Sequence, residues 1–249
     1  MYEKIRFLPS GDCNLIMEFG KEINPQINNQ IRKIINLLEK DRIHGLIEWI
    51  PTYRSILFTY NPSIVSFNSI IEFLQELENI KDEISFSPPL VTEIPTVYGG
   101  EYGPDLTYVA QHNGLSIEDV IAIHSGTDYL IYMLGFTPGF PYLGGMSEKI
   151  ATARLESPRE KITGGSVGIA ANQTGIYPIG SPGGWQLIGK TPVRLFDPQL
   201  EEPFLLKAGD YLRFVPVNIE EYTEICEKLV TGEYRVKRYP QQRDGERLG

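Results

Sequence analysis

Cysteine, histidine and long apolar runs are what this 249-residue chain has least of, and each scarcity removes a class of protein. The 2 cysteines, Cys13 and Cys226, lie far apart and outside any CxxC spacing, which excludes a disulfide framework and a clustered zinc site. A reducing, cytoplasmic setting is the expectation. No apolar run reaches the roughly 18 residues of a membrane span. The opening MYEKIRFLPSGD also lacks the basic start and apolar core of a secretory signal, so no membrane partner is expected. Positive charge is in short supply as well: 23 Lys and Arg stand against 32 Asp and Glu, a net charge of -9. Nucleic acid is therefore not an expected partner, because counterion release needs basic patches, and the short basic tail Arg235 to Arg247 reads as a solvated terminus. With 3 histidines and no HExxH, GxSxG or paired Cys and His, the common hydrolase and metal signatures are missing.

What is present reads as a folded α+β protein, with 41% hydrophobic and 22% charged residues. Residues 1 to about 84 follow a β-β-α-β-β-α pattern. Met1–Phe7 and Cys13–Phe19 read as strands around Pro9-Ser10-Gly11-Asp12. Asn24-Pro25 reads as an N-cap with proline in the first turn, and Ile27, Ile31, Ile34, Ile35 and Leu38 then recur at helical spacing. A hairpin about Pro51-Thr52-Tyr53-Arg54 and a second helix carrying Ile70, Phe73, Leu74 and Leu77 complete a small sandwich. Pro88-Pro89 ends this domain, residues 1–88. Residues 89–240 are richer in Gly, Pro and short β-prone runs, among them Tyr129–Phe136, Val193–Phe196 and Tyr211–Val215, and are expected to form a β-barrel. A capping box at Ser116 and Asp119 starts one helix there, with His124 in its last turn before Gly126, and Ile219–Leu229 forms another. Residues 241–249 are expected to be a disordered tail.

The densest functional signal is a stretch without charge. From Ile162 to Gly189 no Asp, Glu, Lys, Arg or His occurs, yet the run holds eight glycines and leads into G184-W-Q-L-I-G189-K190-T191, a literal Walker spacing. A working phosphate loop needs a strand before it and a helix after it. Here Pro182 precedes and Pro192 follows, which argues against one. The glycines are read as turning the corners of a tight barrel, while Asn172, Gln173, Thr174 and Tyr177 supply neutral groups of the kind that orient a polar substrate. Phe136, Phe140 and Tyr142 either plug a core or line a partner groove. Arg154 and Arg159 flank Ser157-Pro158 and could grip a carboxylate or phosphate, or form solvated pairs. His124 is either a general acid and base or a cap on its helix, and Asp105 and His112 are candidates to join it.

Several of these segments, GGEYGPDL (99–106), GFTPGFPYLGG (135–145), SPR (157–159), GSVGIA (165–170), QTGIYP (173–178) and SPGGWQLIGKTP (181–192), resemble the family that contains the B-type component of 5-oxoprolinase and the sporulation kinase inhibitor KipI. That family is traditionally labelled allophanate hydrolase subunit 1, and the likeness covers essentially the whole chain. It implies a cyclophilin-like barrel after a small α+β domain. It also implies work with a homologous C-type subunit, plus a separate A-type subunit, cleaving 5-oxo-L-proline to L-glutamate with ATP as co-substrate; related domains are fused into urea carboxylase. Under that resemblance Arg154 or Arg159 would hold the substrate carboxylate, Gln173 and Tyr177 would orient the ring amide, and His124 would move a proton. Ser166 and Asn172 complete the substrate-binding set. The family carries arginine where this chain has Lys190, which weakens any phosphate role for that lysine. A rival implication is inhibition of a sensor histidine kinase, with Phe136, Phe140 and Tyr142 as the hydrophobic anchor.

Overall fold

Asn24 and Pro25 begin the first long helix as their chemistry requires. The Asn24 side chain accepts from the Gln26 N–H, and Pro25 occupies the first turn, where no amide hydrogen is needed. The structure is a computed structural model describing residues 1–80, 88–135 and 137–241, so the tail expected at 241–249 lies almost wholly outside the described residues. Its chain divides into two units, Met1–Ser87 and Pro88–Gly249.

The first unit contains β1 (Arg6–Pro9), β2 (Asn14–Glu18), α1 (Pro25–Lys40), β3 (Leu46–Pro51), β4 (Ser55–Tyr60) and α2 (Phe67–Asn79). The strands form an antiparallel sheet in the order β1-β2-β4-β3. Ile27, Ile31, Ile34 and Leu38 of α1 and Ile70, Leu74 and Leu77 of α2 bury against Leu15, Met17, Ile56 and Phe58. Each fully buried aliphatic side chain contributes about 1.5–3 kcal/mol, so this face holds the helices to the sheet. The first strand starts at Arg6 and not at Met1, because Arg6 already pairs with Glu18, the last residue of its partner strand.

The second unit runs β5 (Leu90–Tyr98), α3 (Leu106–Asn113), α4 (Ile117–Ser125), β6 (Tyr129–Leu134), β7 (Pro141–Gly144), a 3-10 turn (Glu148–Ile150), β8 (Arg159–Ile162), β9 (Ser166–Ala170), β10 (Gln173–Ile176), β11 (Ser181–Gly183), β12 (Gln186–Lys190), β13 (Tyr211–Val217), α5 (Ile219–Thr231) and β14 (Arg238–Pro240). Its main sheet has the order β10-β9-β12-β5-β13-β6-β7, with β14 added to β5, and β7 lies beside β10, which nearly closes a barrel. Strands β5 and β13 pair in parallel, whereas the ladders on either side of them are antiparallel. Strands β8 and β11 form a separate two-stranded ribbon. Ile94, Val167, Ile169, Ile188, Leu212 and Phe214 fill the barrel interior, and Val109 and Val120 bring α3 and α4 onto it.

One expectation changes here, and one element is added. Val193–Phe196 is not a strand: Pro192, Pro198 and Pro203 withhold ladder donors around it, and its pairing is reduced to an isolated bridge from Phe196 to Phe204. Helix α3 is not among the expected elements; Asp105 stands at its N-cap but makes no side-chain capping bond. Gly114, at φ 65°, closes its other end in the left-handed conformation.

Candidate functional site

Strand β11, the turn into β12, and residues of β7 and β10 line a pocket of about 510 Å³. Phe140, Tyr142, Tyr177 and Trp185 form its aromatic walls. Phe140 meets Tyr142 at 5.3 Å, Tyr177 at 6.1 Å and Trp185 at 5.8 Å between ring centroids, the last two edge to face. Such contacts favour fixed ring positions over a fluid apolar patch. Gln173, Ser181 and Thr137 add neutral polar groups, and Arg154 stands at the rim, exposed and, among the described residues, without a salt-bridge partner. Burial pushes the Tyr177 phenol above its ordinary pKa, offset in part by the Trp185 backbone and the charges of Arg154 and Arg159. Tyr177 is therefore a neutral hydroxyl at physiological pH.

Two hydrogen bonds tie the Arg154 segment to the same turn. Leu155 N–H donates to the Gly184 carbonyl at 2.7 Å, and the Gln186 side chain donates to Ala153 O at 2.9 Å. The absence of a side chain at Gly183 is required here: a Cβ would stand 2.3 Å from the Tyr177 hydroxyl.

Arg159 is not free to take a substrate carboxylate. One guanidinium nitrogen donates to both oxygens of Asp105, at 2.7 and 2.9 Å, and the other donates to Trp185 O at 3.2 Å. Of the two arginines expected as alternative carboxylate anchors, Arg159 is spent on internal partners, whereas Arg154 has no salt-bridge partner among the described residues. Asp105 also accepts from Leu187 N–H at 2.6 Å, while its own N–H donates to Leu187 O at 2.9 Å. Sequence spacing could not show this pair, because 54 residues separate its partners.

His124 is a core residue and not a proton carrier. It is 0% exposed, and both ring nitrogens are engaged: Nδ1 with the Tyr98 hydroxyl at 2.7 Å and Nε2 with Thr174 Oγ1 at 2.8 Å. The Thr174 hydroxyl donates to Gly168 O at 3.0 Å, which leaves its oxygen to accept from Nε2–H. Nδ1 then accepts from Tyr98, so each polar side-chain atom of this relay is partnered and none faces the pocket. Burial pushes the His124 pKa down to about 3. Its expected companions are elsewhere: Asp105 is held by Arg159, and His112 lies on α3, exposed and stacked on Tyr108.

The remaining expected residues divide between pocket and frame. Gln173, Tyr177, Phe140 and Tyr142 line the pocket. Asn172 lies exposed beside it in the β9–β10 turn, and Ser166 is buried at the start of β9, near Thr163. Phe136 falls outside the described residues. Trp185 reads from sequence as a packing residue, although a lone tryptophan between Gly-Gly and an apolar strand is a signal for a pocket wall.

The Walker-like segment does not fit a triphosphate. Gln186–Lys190 is strand β12, paired with β9 and β5, and the next regular element is another strand, β13. Thr191 is 2% exposed, and the Lys190 ammonium donates to Thr163 Oγ1 at 3.2 Å. A larger trough of about 960 Å³ beside α5 contains none of the residues expected at a site. Among the described residues no group of three or more His, Cys, Asp or Glu could hold a metal ion, and no helix is long and apolar enough to cross a membrane.

Residues 5–206 match the family model described as carboxyltransferase domain, subdomain C and D. Among curated proteins the chain is similar to the 5-oxoprolinase B subunit of Bacillus subtilis (strain 168), at 47% identity over 223 residues, 85% of this chain and 92% of the relative. Among solved structures it is similar to TTHA0988, at 36% identity and a TM-score of 0.72, covering 82% of this chain but only 39% of that one. The K. lactis urea amidolyase shares the fold, with a TM-score of 0.77 at 22% identity over 95% of this chain and 16% of that one.

Proposed function

The chain belongs to the carboxyltransferase domain family, subdomains C and D, and from that membership we propose that it is the B-type subunit of a complex that opens 5-oxo-L-proline to L-glutamate at the expense of ATP. The observation that carries the proposal is the composition of the pocket. Among the described lining residues Arg154 supplies the one cationic group for the ring carboxylate, the aromatic walls accept the flat lactam ring, and Gln173 and Tyr177 offer neutral donors and acceptors to its amide.

No carboxylate or imidazole is present among the described residues that line this pocket. The pocket can therefore bind and orient a lactam, while the proton transfers of hydrolysis fall to groups from other subunits. ATP is placed with a companion chain for a related reason: Gln186–Lys190, the body of the Walker-like segment, is a strand and does not wrap a phosphate. The hydrolysis of ATP supplies the driving force against amide resonance, and this chain supplies position. Subunits of the C and A types are the proposed companions. Kinase docking draws no separate support, since the described aromatics of that segment, Phe140 and Tyr142, are already committed to the pocket wall.

The test is glutamate release from 5-oxo-L-proline by this chain reconstituted with A-type and C-type companions, omitting each in turn. Turnover that needs all three is the expected result. Turnover that persists without this chain removes it from the reaction.

A further inference from the structure

Two of the segments singled out in the sequence, GGEYGPDL and SPR, have no assigned task in binding, and a third, the Gly-Gly-Trp turn, carries part of the pocket wall. The fold brings one residue or more of each to a single point. Asp105 comes from the first, Arg159 from the second, and Trp185 with Leu187 from the third.

The geometry is that of a clamp. Asp105 is the N-cap residue of α3, a place where aspartate ordinarily bonds the first helical amides, yet its carboxylate makes no capping bond and turns to Arg159 and Leu187. Arg159 spends one arm on Asp105 and the other on the Trp185 carbonyl. The loop before α3 lies hard against β12: a Cβ at Gly103 would stand 2.1 Å from Ile188 O. Both side chains are mostly shielded, at 29% and 14% exposure, so the pair is screened less than a surface bridge.

We propose that Asp105 and Arg159 are positioning residues that set where Trp185 stands in the pocket wall, and with it the Arg154 segment tied to Gly184 and Gln186. They touch no ligand. They act through the turn at 184–187, which carries both the aromatic wall and the backbone partners of residues 153 and 155. The ligand part of this role rests on the reading of the pocket as a 5-oxo-L-proline site, whereas the placement of Trp185 does not.

The test uses the whole chain with Trp49→Phe, which leaves Trp185 as its sole tryptophan. Arg159→Lys keeps the charge but loses the two-armed fork; Asp105→Asn loses the charge but keeps an acceptor for Leu187. Acrylamide quenching of Trp185 and its titration with 5-oxo-L-proline are read on each folded variant, beside the melting temperature. Both variants should raise the quenching constant about twofold or more and weaken binding of the probe on the order of tenfold, the scale on which small misplacements act. Should Asp105→Asn fail to fold, Arg159→Lys carries the test alone. Folded variants that melt earlier but quench like the parent overturn the proposal and leave the pair as an anchor for stability. If the parent itself does not bind 5-oxo-L-proline, the functional reading fails, and the quenching arm still decides the clamp.

Discussion

The barrel interior and the pocket wall of the second unit handle polar side chains in opposite ways. In the interior, Tyr98, His124, Thr174 and Gly168 O form a closed relay in which the histidine is neutral and its ring is sealed from solvent. In the wall, Arg159 and Asp105 are spent on each other, and Arg154 is left facing outward. The side chain with the most reactive reputation is thus structural, and the pocket is lined by an outward-facing arginine and four aromatic rings. Residue type suggests chemistry; the count of unspent hydrogen-bonding capacity decides it.

The largest effect should come from breaking the interior relay. His124→Ala removes two hydrogen bonds and opens a cavity, and should cost about 3–5 kcal/mol in chemical denaturation. The same site gives a pH signature. Folded His124 has a pKa of about 3 against an ordinary 6.5, so between these values only the unfolded chain takes up the proton. Its contribution is complete above pH 6.5 and is lost as pH falls toward 3, at up to about 1.4 kcal/mol per pH unit. A His124→Gln variant that folds should show a correspondingly flatter profile over that range. An unchanged slope would mean that other groups govern acid unfolding.

Arg154→Ala sharpens the other side of the comparison. The side chain is exposed, so the melting temperature should hardly move, while loss of a charge-assisted contact worth about 1.5–3 kcal/mol should raise the KM of the reconstituted complex roughly 10- to 100-fold. An unchanged KM would remove the carboxylate anchor from the proposed site. Gly183→Ala probes the same wall by crowding it. The new methyl must displace the Tyr177 hydroxyl or Ile162 Cδ1, which would stand at 2.3 and 2.8 Å, and should cost about 1–3 kcal/mol in stability and weaken ligand binding together.

Legibility in the sequence followed the range of the forces involved. Caps and apolar periodicity are local, so Asn24-Pro25, the Ser116 and Asp119 capping box and the buried faces of α1 and α2 can be placed from sequence. Pairings across long separations are not visible there. Nothing near Arg159 indicates that Asp105 will neutralise it, and nothing near His124 indicates that Tyr98 and Thr174 will enclose it. Helix α3 escapes notice because it spans only 8 residues, too few for a clear apolar repeat. Gln173, Tyr177, Phe140 and Tyr142 are recognisable as site candidates by chemical type, whereas Trp185, which joins them into a wall, has apolar neighbours that make it look like core.

The smallest expected effect concerns the segment that most resembles a known motif. Lys190 lies at the end of β12, half-buried, with its ammonium on the Thr163 hydroxyl. An isolated contact of this kind at a mostly exposed pair is worth little, so Lys190→Ala should change stability by no more than about 0.5 kcal/mol. It should also leave the ATP dependence of glutamate release unaltered, because an extended strand between β9 and β5 cannot turn its amides onto a phosphate. Measuring the KM for ATP in the reconstituted complex decides the matter. A rise of about tenfold or more, roughly 1.4 kcal/mol of lost binding, would place nucleotide at this edge of the barrel and reverse the division of labour argued above; an unchanged value keeps the phosphate chemistry in the companion chains and recognition of the lactam in this one.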